Sequence, residues 1–290
     1  MIATGGYLRP TRLEAALAEL ARAPHTVVAG GTDLYPACVG TDAPSPLLDV
    51  SLLPETRGVD WNADAGALRI GASTTWSDLV RKPLPAFARC LVQAAREVGG
   101  IQIQNRGTLG GNLCNASPAA DGIPPLLALD ATLELASQRG RRLLPVDRFV
   151  LGNRTTALAA DELLTSIVIP RRSPDSVSAF LKLGHRRYLV ISIVMVAVVL
   201  DFDAQERVSY CGIGVGSCSA AACRLPALEA GLLGLSRGDL PAHVVRLLGA
   251  GALAPLAPID DVRATRDYRL DAARCLIERA IGELASGTGA

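Results

Sequence analysis

The sequence predicts an α+β protein of two domains, and three observations indicate this class. The chain has 290 residues, enough for two domains of ordinary size. Its first part alternates short apolar runs, helical patterns and glycine turns, whereas its last part has extended runs followed by helical segments. Strands followed by helices indicate an antiparallel sheet with helices on one face. The basic, proline-containing segment 170–175 separates the two patterns, so we place the domain boundary there.

Composition and charge exclude several classes of protein. The 29 Lys and Arg residues nearly balance the 28 Asp and Glu residues, giving a formal net charge of +1. A general nucleic-acid binder needs a basic excess to displace counterions from phosphate, so we expect no nucleic-acid partner. An apolar fraction of 49% with 20% charged residues is typical of a folded globular protein.

The cysteine and histidine patterns argue against disulfides and metal sites. Seven cysteines without any C-x-x-C pair indicate free thiols in a reducing compartment, for which we expect the cytoplasm. The spacing of Cys211, Cys218 and Cys223 matches no common metal motif, and the three histidines lie far apart. We therefore expect no metal in this chain.

Membrane segments are not expected. The start of the chain lacks the basic and apolar regions of a signal peptide. The longest apolar run, 189–200, is too short for a membrane-spanning helix, which needs about 20 residues. Its Val and Ile content predicts a buried strand instead.

The sequence patterns in the first third of the chain predict short helices and strands that alternate. Thr11 and Glu14 have the spacing of a capping box that opens an amphipathic helix, and Thr75 and Asp78 have the spacing of another helix start. Apolar residues at helical spacing before Gly99 predict a further helix. The predicted ranges are strands at 26–29, 47–50 and 68–72 and a helix at 85–98.

The segment 101–121, IQIQNRGTLGGNLCNASPAAD, has few periodic apolar positions, so we predict a ligand-binding loop there. After it we predict a helix at 124–130, a hairpin of 132–135 with 142–146, and a strand at 163–169 that Pro170 ends. The last part predicts strands at 178–185, 190–203 and 208–216, then helices at 226–235, 240–247 and 267–284. We expect the tail 286–290 to be disordered.

Two glycine-rich motifs are the candidate functional segments. Paired glycines let backbone amides approach an anion without interference from a Cβ atom, and nearby Thr and Asn side chains add donors. Two such motifs could hold a diphosphate from two sides, although each pair alone also fits an ordinary tight turn. The first motif is Val27, Val28, Ala29, Gly30, Gly31, Thr32, Asp33 and Leu34, and the second is Thr108, Leu109, Gly110, Gly111 and Asn112.

Common nucleotide-binding motifs do not fit the sequence. It has no G-x-x-x-x-G-K-[ST] pattern, so a P-loop is unsupported. Gly212, Gly214 and Gly216 begin a G-x-G-x-x-G pattern, but Ser217 occupies its last position. The run also lies in a predicted antiparallel strand, so we reject a Rossmann interpretation.

The two motifs, in this order and at this separation, resemble those of the flavin-binding medium subunits of molybdenum hydroxylases. This is the family of xanthine dehydrogenase and carbon monoxide dehydrogenase. The resemblance extends over nearly the whole chain. Its other matching segments are 7–10 (YLRP), 70–75 (IGASTT), 103–121 (IQNRGTLGGNLCNASPAAD) and 163–167 (LLTSI) with Pro170.

The resemblance implies a vanillyl-alcohol-oxidase-type (PCMH) FAD-binding domain at 1–174, with subdomains at about 1–56 and 57–174. A C-terminal domain at 175–285 would have a three-stranded antiparallel sheet packed with helices. FAD would bind non-covalently between the subdomains, held by both glycine motifs. Asp121 would contact the flavin through its carboxylate, Leu164 would pack near the ring, and Lys182 would approach it from the second domain. From the residues alone, a helix N-cap and a solvated lysine remain the alternatives for Asp121 and Lys182.

Some positions depart from the family pattern. Leu189 stands where many relatives have an aspartate, and Gln104 where relatives often have arginine. A four-cysteine iron-sulfur insertion found in some relatives is lacking here, so we expect no cluster. Neither glycine motif contains His or Cys, so we expect no covalent flavin, with Cys114 the nearest thiol.

The resemblance implies an electron-transfer flavoprotein subunit without catalytic residues of its own. A large molybdopterin partner would hydroxylate the substrate, and a small partner with two [2Fe-2S] clusters would pass electrons to the FAD. The acceptor would be NAD, oxygen or another oxidant, and the assembly would be a dimer of heterotrimers. The alternatives are a self-contained FAD-dependent oxidase of the same fold and a structural subunit that has lost its flavin.

Overall fold

The computed structural model describes residues 6–42, 44–62, 66–249 and 251–287. Its helices are α1 (Leu13–Arg22), α2 (Leu34–Ala37), α3 (Trp76–Arg81), α4 (Arg89–Glu97), α5 (Ile101–Gln104), α6 (Leu109–Asn115), α7 (Ile123–Ala128), α8 (Val146–Phe149), α9 (Pro226–Leu232), α10 (Leu240–Gly249) and α11 (Arg266–Ala285). Its strands are β1 (Tyr7–Leu8), β2 (Thr26–Val28), β3 (Leu47–Asp49), β4 (Val59–Asn62), β5 (Ala67–Gly71), β6 (Thr132–Ser137), β7 (Gly140–Pro145), β8 (Val150–Gly152), β9 (Thr155–Thr156), β10 (Leu163–Pro170), β11 (Val177–Leu183), β12 (Val194–Phe202), β13 (Val208–Gly216) and β14 (Cys223–Arg224).

A small parallel sheet in the order β1-β3-β2 opens the chain, with α1 packed against it. The apolar stripe of α1 buries Leu13, Leu17 and Leu20, as its spacing predicts. The predicted capping box is wrong, because the helix begins two residues after Thr11. The carbonyl of Arg12 accepts the first helical hydrogen bond, and no side chain caps this end.

The second sheet is antiparallel, in the order β4-β5-β10-β6-β7. The predicted β6–β7 hairpin is confirmed, with Leu133 opposite Leu144. The capping box opening α3 is also confirmed: Thr75 Oγ1 accepts from the Asp78 amide at 3.2 Å, and the Asp78 carboxylate accepts from the Thr75 amide at 3.1 Å. The apolar stripe of α4 is buried in the largest core cluster, where the helix packs on β11.

The third sheet has four strands, β11-β12-β13-β14, rather than the predicted three. The fourth strand has only two residues, too few to produce an alternating sequence pattern. Helices α9, α10 and α11 cover one face of this sheet, where Val196 and Val198 pack with Ile277. The other face packs on the first part of the chain, so β12 is buried along its whole length. Burial on both faces explains why its sequence is continuously apolar.

The Gly212–Gly216 run lies in β13, beneath helix α7. A Cβ atom at Gly212 would be 2.1 Å from the Ala128 carbonyl oxygen, and one at Gly214 would be 2.3 Å from that of Pro124. These glycines therefore allow the helix to lie directly on the strand. Their role is packing between the two parts of the chain.

The predicted loop at 101–121 is wrong in part, because it contains α5 and α6. Glycines in the first turn of α6 hide its helical character from the sequence pattern. The predicted disorder at 288–290 lies outside the described residues, whereas Ser286 and Gly287 form a turn after α11. All seven cysteines are free thiols, as predicted. Within the described ranges, no helix is both long and apolar enough to cross a membrane.

Candidate functional site

A cleft of about 740 Å³ is lined by residues of both glycine motifs. Its volume lies within the roughly 300–1,000 Å³ typical of cofactor sites. The predicted site residues that line it are Val27, Val28, Ala29, Gly30, Gly31, Thr32, Asp33, Leu34, Thr108, Gly111, Asn112 and Asp121. The fold therefore brings together two motifs that are far apart in the sequence.

The first motif forms the wall of the cleft that has open hydrogen-bond donors. Strand β2 ends at Val28, and the chain turns through Gly31, at φ +71°, into α2. The backbone amides of residues 30–33 have no acceptor in the described part of the chain. A Cβ atom at Gly30 would lie 1.9 Å from the Arg106 carbonyl oxygen, so this turn packs directly on the segment before α6. Open amides beside a cleft are suited to binding an anion.

Backbone amides of the second motif donate hydrogen bonds to other protein groups, so this motif forms a closed wall. The amides of Leu109 and Gly110 donate to the carbonyls of Thr74 (3.0 Å) and Ala72 (2.8 Å), and the Gly111 amide donates to Thr108 Oγ1 at 3.0 Å. A Cβ atom at Gly110 would lie 2.7 Å from the Ala72 carbonyl oxygen. Gly110 thus allows α6 to pack on the end of β5, and its amide is not available for an anion.

Asp121 lines the cleft, but both of its carboxylate oxygens have protein partners. Lys182 Nζ lies 2.8 Å from one oxygen, and Ser192 Oγ donates to the other at 2.7 Å. Lys182 also donates to the Glu97 carbonyl at 3.2 Å. Burial raises the pKa of Asp121 above its ordinary value, although the ammonium and the hydroxyl both oppose this shift. The cluster ties the β11–β12 region to the first part of the chain.

Four predicted site residues do not line the cleft. The Lys182 ammonium is buried and paired with Asp121, so it is not a free cation. The Leu164 side chain lies in the main core cluster, and Leu109 is buried in the same cluster. Gly110 packs on Ala72. A direct contact of these four residues with a cofactor stays a prediction.

Arg154 is a cleft residue that the sequence did not indicate. Among the described residues, Arg154 is the only one with a cationic side chain that lines the cleft. It sits at φ +54° on the β8–β9 turn, and its amide donates to the Ala116 carbonyl at 2.9 Å. Its guanidinium donates to Asn115 Oδ1 at 2.9 Å. No local motif marks it, because the hairpin brings it to the end of α6.

An apolar wall, residues 189–191, closes another side of the cleft. Leu189 adopts φ +53°, and its carbonyl accepts from Arg186 Nε at 3.1 Å. Gln104, the other departure from the family pattern, donates to the Arg96 carbonyl at 3.1 Å. Open amides, one arginine and an apolar wall fit a large cofactor that carries both phosphate and a flat ring system. The fold and cleft thus define a nucleotide-cofactor-binding protein.

Comparison with known proteins identifies the cofactor class. Residues 3–172 match the family described as FAD binding domain in molybdopterin dehydrogenase, and residues 179–284 match the CO dehydrogenase flavoprotein C-terminal domain. The chain therefore belongs to the FAD-binding medium subunits of the xanthine dehydrogenase and carbon monoxide dehydrogenase family. The resemblance stated from the motifs is confirmed.

Individual relatives agree with this assignment. The chain is 36% identical to the nicotinate dehydrogenase FAD-subunit of Eubacterium barkeri over 68% of this chain and 69% of that one. It is 30% identical to the putative xanthine dehydrogenase FAD-binding subunit of Escherichia coli over 98% and 97% of the two chains. A structure of carbon monoxide dehydrogenase from Hydrogenophaga pseudoflava matches all of both chains with a TM-score of 0.87 and 28% identity.

Proposed function

We propose that this chain holds FAD non-covalently in the cleft and transfers electrons within a molybdenum hydroxylase. A small partner subunit supplies electrons from its [2Fe-2S] clusters, and a large molybdopterin partner hydroxylates the substrate. The final acceptor is NAD, oxygen or another oxidant. The complex is a dimer of heterotrimers. One observation supports this proposal most strongly. A cleft with open amides at residues 30–33 lies in a chain that matches FAD subunits along nearly its whole length.

We also propose that the FAD-binding domain covers residues 1–174 and is of the vanillyl-alcohol-oxidase (PCMH) type. Its subdomains are residues 1–56 and 57–174, and the C-terminal domain is residues 175–285. The sheet order supports this division. The parallel sheet lies within residues 7–49, the five-stranded antiparallel sheet within 59–170, and the last sheet within 177–224.

Each wall of the cleft has a distinct part in this function. The open amides of residues 30–33 bind the diphosphate, and Thr108 and Asn112 orient the adjoining part of the cofactor. Arg154 supplies the positive charge that a phosphorylated, redox-active cofactor needs. The wall at 189–191 offers the ring system an apolar surface. FAD supplies the electron-carrying chemistry, and the chain binds the cofactor and provides its environment.

The cleft offers little support for a self-contained oxidase. Such an enzyme needs an acid or base close to the flavin. Among the described cleft residues, the carboxylates are those of Asp33 and Asp121, and both oxygens of Asp121 are bonded to Lys182 and Ser192. An electron-transfer role requires no such group.

A visible absorption spectrum of the purified chain tests the proposal, together with identification of the cofactor released by heat. We expect a two-banded yellow spectrum and free FAD. A colourless protein that does not bind added FAD, alone or after reconstitution with its partner subunits, would overturn the proposal. Turnover of small alcohols by the isolated chain would favour the oxidase.

A further inference from the structure

A second, smaller pocket lies behind the first glycine motif. Its volume is about 120 Å³. It shares Ala29, Gly30 and Thr108 with the main cleft, so the glycine turn separates the two cavities. Nothing in the proposed electron-transfer function uses this pocket.

Three arginines from separate segments meet in this pocket. Arg9 follows β1, Arg57 follows a short 3-10 turn, and Arg106 precedes α6. Arg9 Nη2 donates to Ser51 Oγ at 3.1 Å, and Arg57 Nη1 donates to the Ser51 carbonyl at 3.2 Å. Arg9 and Arg57 therefore both bond to Ser51, and Arg106 lines the same pocket.

The positive charge of the pocket exceeds its negative charge. Asp49 is the neighbouring carboxylate, and it already accepts hydrogen bonds from Tyr7 and the Ser51 amide and pairs with Arg9 Nε at 3.1 Å. Neither Arg57 nor Arg106 has a carboxylate partner in the described part of the chain. The Arg106 guanidinium has no hydrogen-bond partner there at all.

The remaining lining adds neutral polar groups rather than acids. Ser51, Ser73, Thr75 and Asn105 line the pocket, and none of its lining residues is Asp or Glu. Guanidinium groups favour phosphate because their planar donors match its oxygens in pairs. A pocket of this size has room for one tetrahedral oxyanion and is far smaller than the cleft that fits FAD.

We propose that this pocket binds a phosphate group, either as the free ion or at the end of a mononucleotide. Arg57 and Arg106 supply guanidinium donors that have no carboxylate partner among the described residues, and Arg9 completes the positive wall. The site is separate from the FAD cleft but shares its glycine turn. A Cβ atom at Gly30 would lie 1.9 Å from the Arg106 carbonyl oxygen, so the glycine turn and the Arg106 segment are in direct contact. Phosphate occupancy and FAD affinity are therefore expected to influence each other reciprocally.

Titration calorimetry of the full chain tests this proposal, with inorganic phosphate and, in a second arm, adenosine monophosphate, at constant ionic strength. We expect R106Q to weaken binding by about tenfold to a hundredfold, the loss of a charge-assisted hydrogen bond. R57Q is a second variant with the same expectation. Both side chains are exposed, so neither change should affect folding. R148Q, an exposed arginine on α8 outside both cavities, is the matched control and should bind as the unaltered chain does.

The outcomes are distinct from those of the FAD experiment, because each titration is run on both FAD-free and FAD-loaded protein. Binding of either phosphate compound that is lost in R106Q and kept in R148Q supports the site. Binding of the mononucleotide alone identifies the source of the phosphate group. Absence of binding for both compounds, or equal loss in R106Q and R148Q, overturns the proposal. Stoichiometric displacement of phosphate by FAD overturns the claim of a separate site.

Discussion

The two glycine motifs have similar compositions, but they form walls of opposite character. In the first motif, the amides of residues 30–33 remain without acceptors among the described residues. In the second motif, the amides of Leu109, Gly110 and Gly111 are bonded to the residues that support α6. Paired glycines can therefore either present the backbone to a ligand or permit close packing. Composition does not distinguish these roles, because they depend on what faces each glycine in the fold.

The largest expected effect comes from breaking the buried ion pair of Lys182 and Asp121. K182M leaves the buried Asp121 carboxylate without its cation, which should lower the free energy of unfolding by about 3–5 kcal/mol. Urea unfolding at neutral pH measures this loss. K82M is the matched control, since Lys82 is the other lysine of the chain and is exposed. An equal loss in both variants would contradict the role of the pair.

The K182M loss should also depend on pH. Burial already raises the pKa of Asp121, and removing Lys182 raises it further. A carboxyl whose pKa is higher in the folded state contributes stability below its unfolded pKa and loses it as the pH rises through the folded pKa. The difference from the unaltered chain should therefore be smaller at about pH 5 than at about pH 8. A difference that grows on acidification would show that Asp121 does not titrate as inferred.

A pair of substitutions in one helix separates packing from cofactor binding. G110A places a Cβ atom 2.7 Å from the Ala72 backbone and should lower the free energy of unfolding by about 1–3 kcal/mol. G111A adds a methyl group on the cleft side, where the nearest atom is Thr108 Oγ1 at 2.8 Å. It should weaken FAD binding more than it lowers the free energy of unfolding, although the Thr108 side chain must shift. Urea unfolding and fluorescence titration with FAD measure the two effects, and identical profiles would contradict the division.

A substitution in the open wall, the first glycine motif, should affect FAD binding more than stability. G31A imposes a side chain at φ +71°, where the strain is about 1–2 kcal/mol, and places it 2.3 Å from the movable Tyr35 ring. The shifted turn should reduce FAD affinity more than it reduces stability. G40A is the control, because Gly40 has φ +79° but nothing within 4 Å and does not line the cleft. If G40A weakens FAD binding as much as G31A, the effect is not local to the motif.

Much of the local structure was predictable from the sequence. The stripe of α4, the capping box of α3 and the β6–β7 hairpin follow from periodicity and spacing, which are properties of neighbouring residues. The predictions that were wrong concern two segments in which one local sequence signal masks or replaces another. At the chain start, Thr11 has the required spacing, but α1 begins later and Glu14 lies 3.6 Å from Arg12 instead. In α6, Gly110 and Gly111 obscure a helix that is stabilised by its packing on Ala72.

The sequence by itself determined the two-part α+β organisation, the family and the two glycine motifs, because these are contained in contiguous patterns. Only the tertiary structure showed that Lys182 neutralises Asp121, that Gly214 makes room for α7, and that Arg154 reaches the cleft. Each of these facts depends on residues that are distant in the chain and meet only after folding. Ion pairing, close packing and exposure depend on these long-range contacts, and no local sequence pattern specifies them.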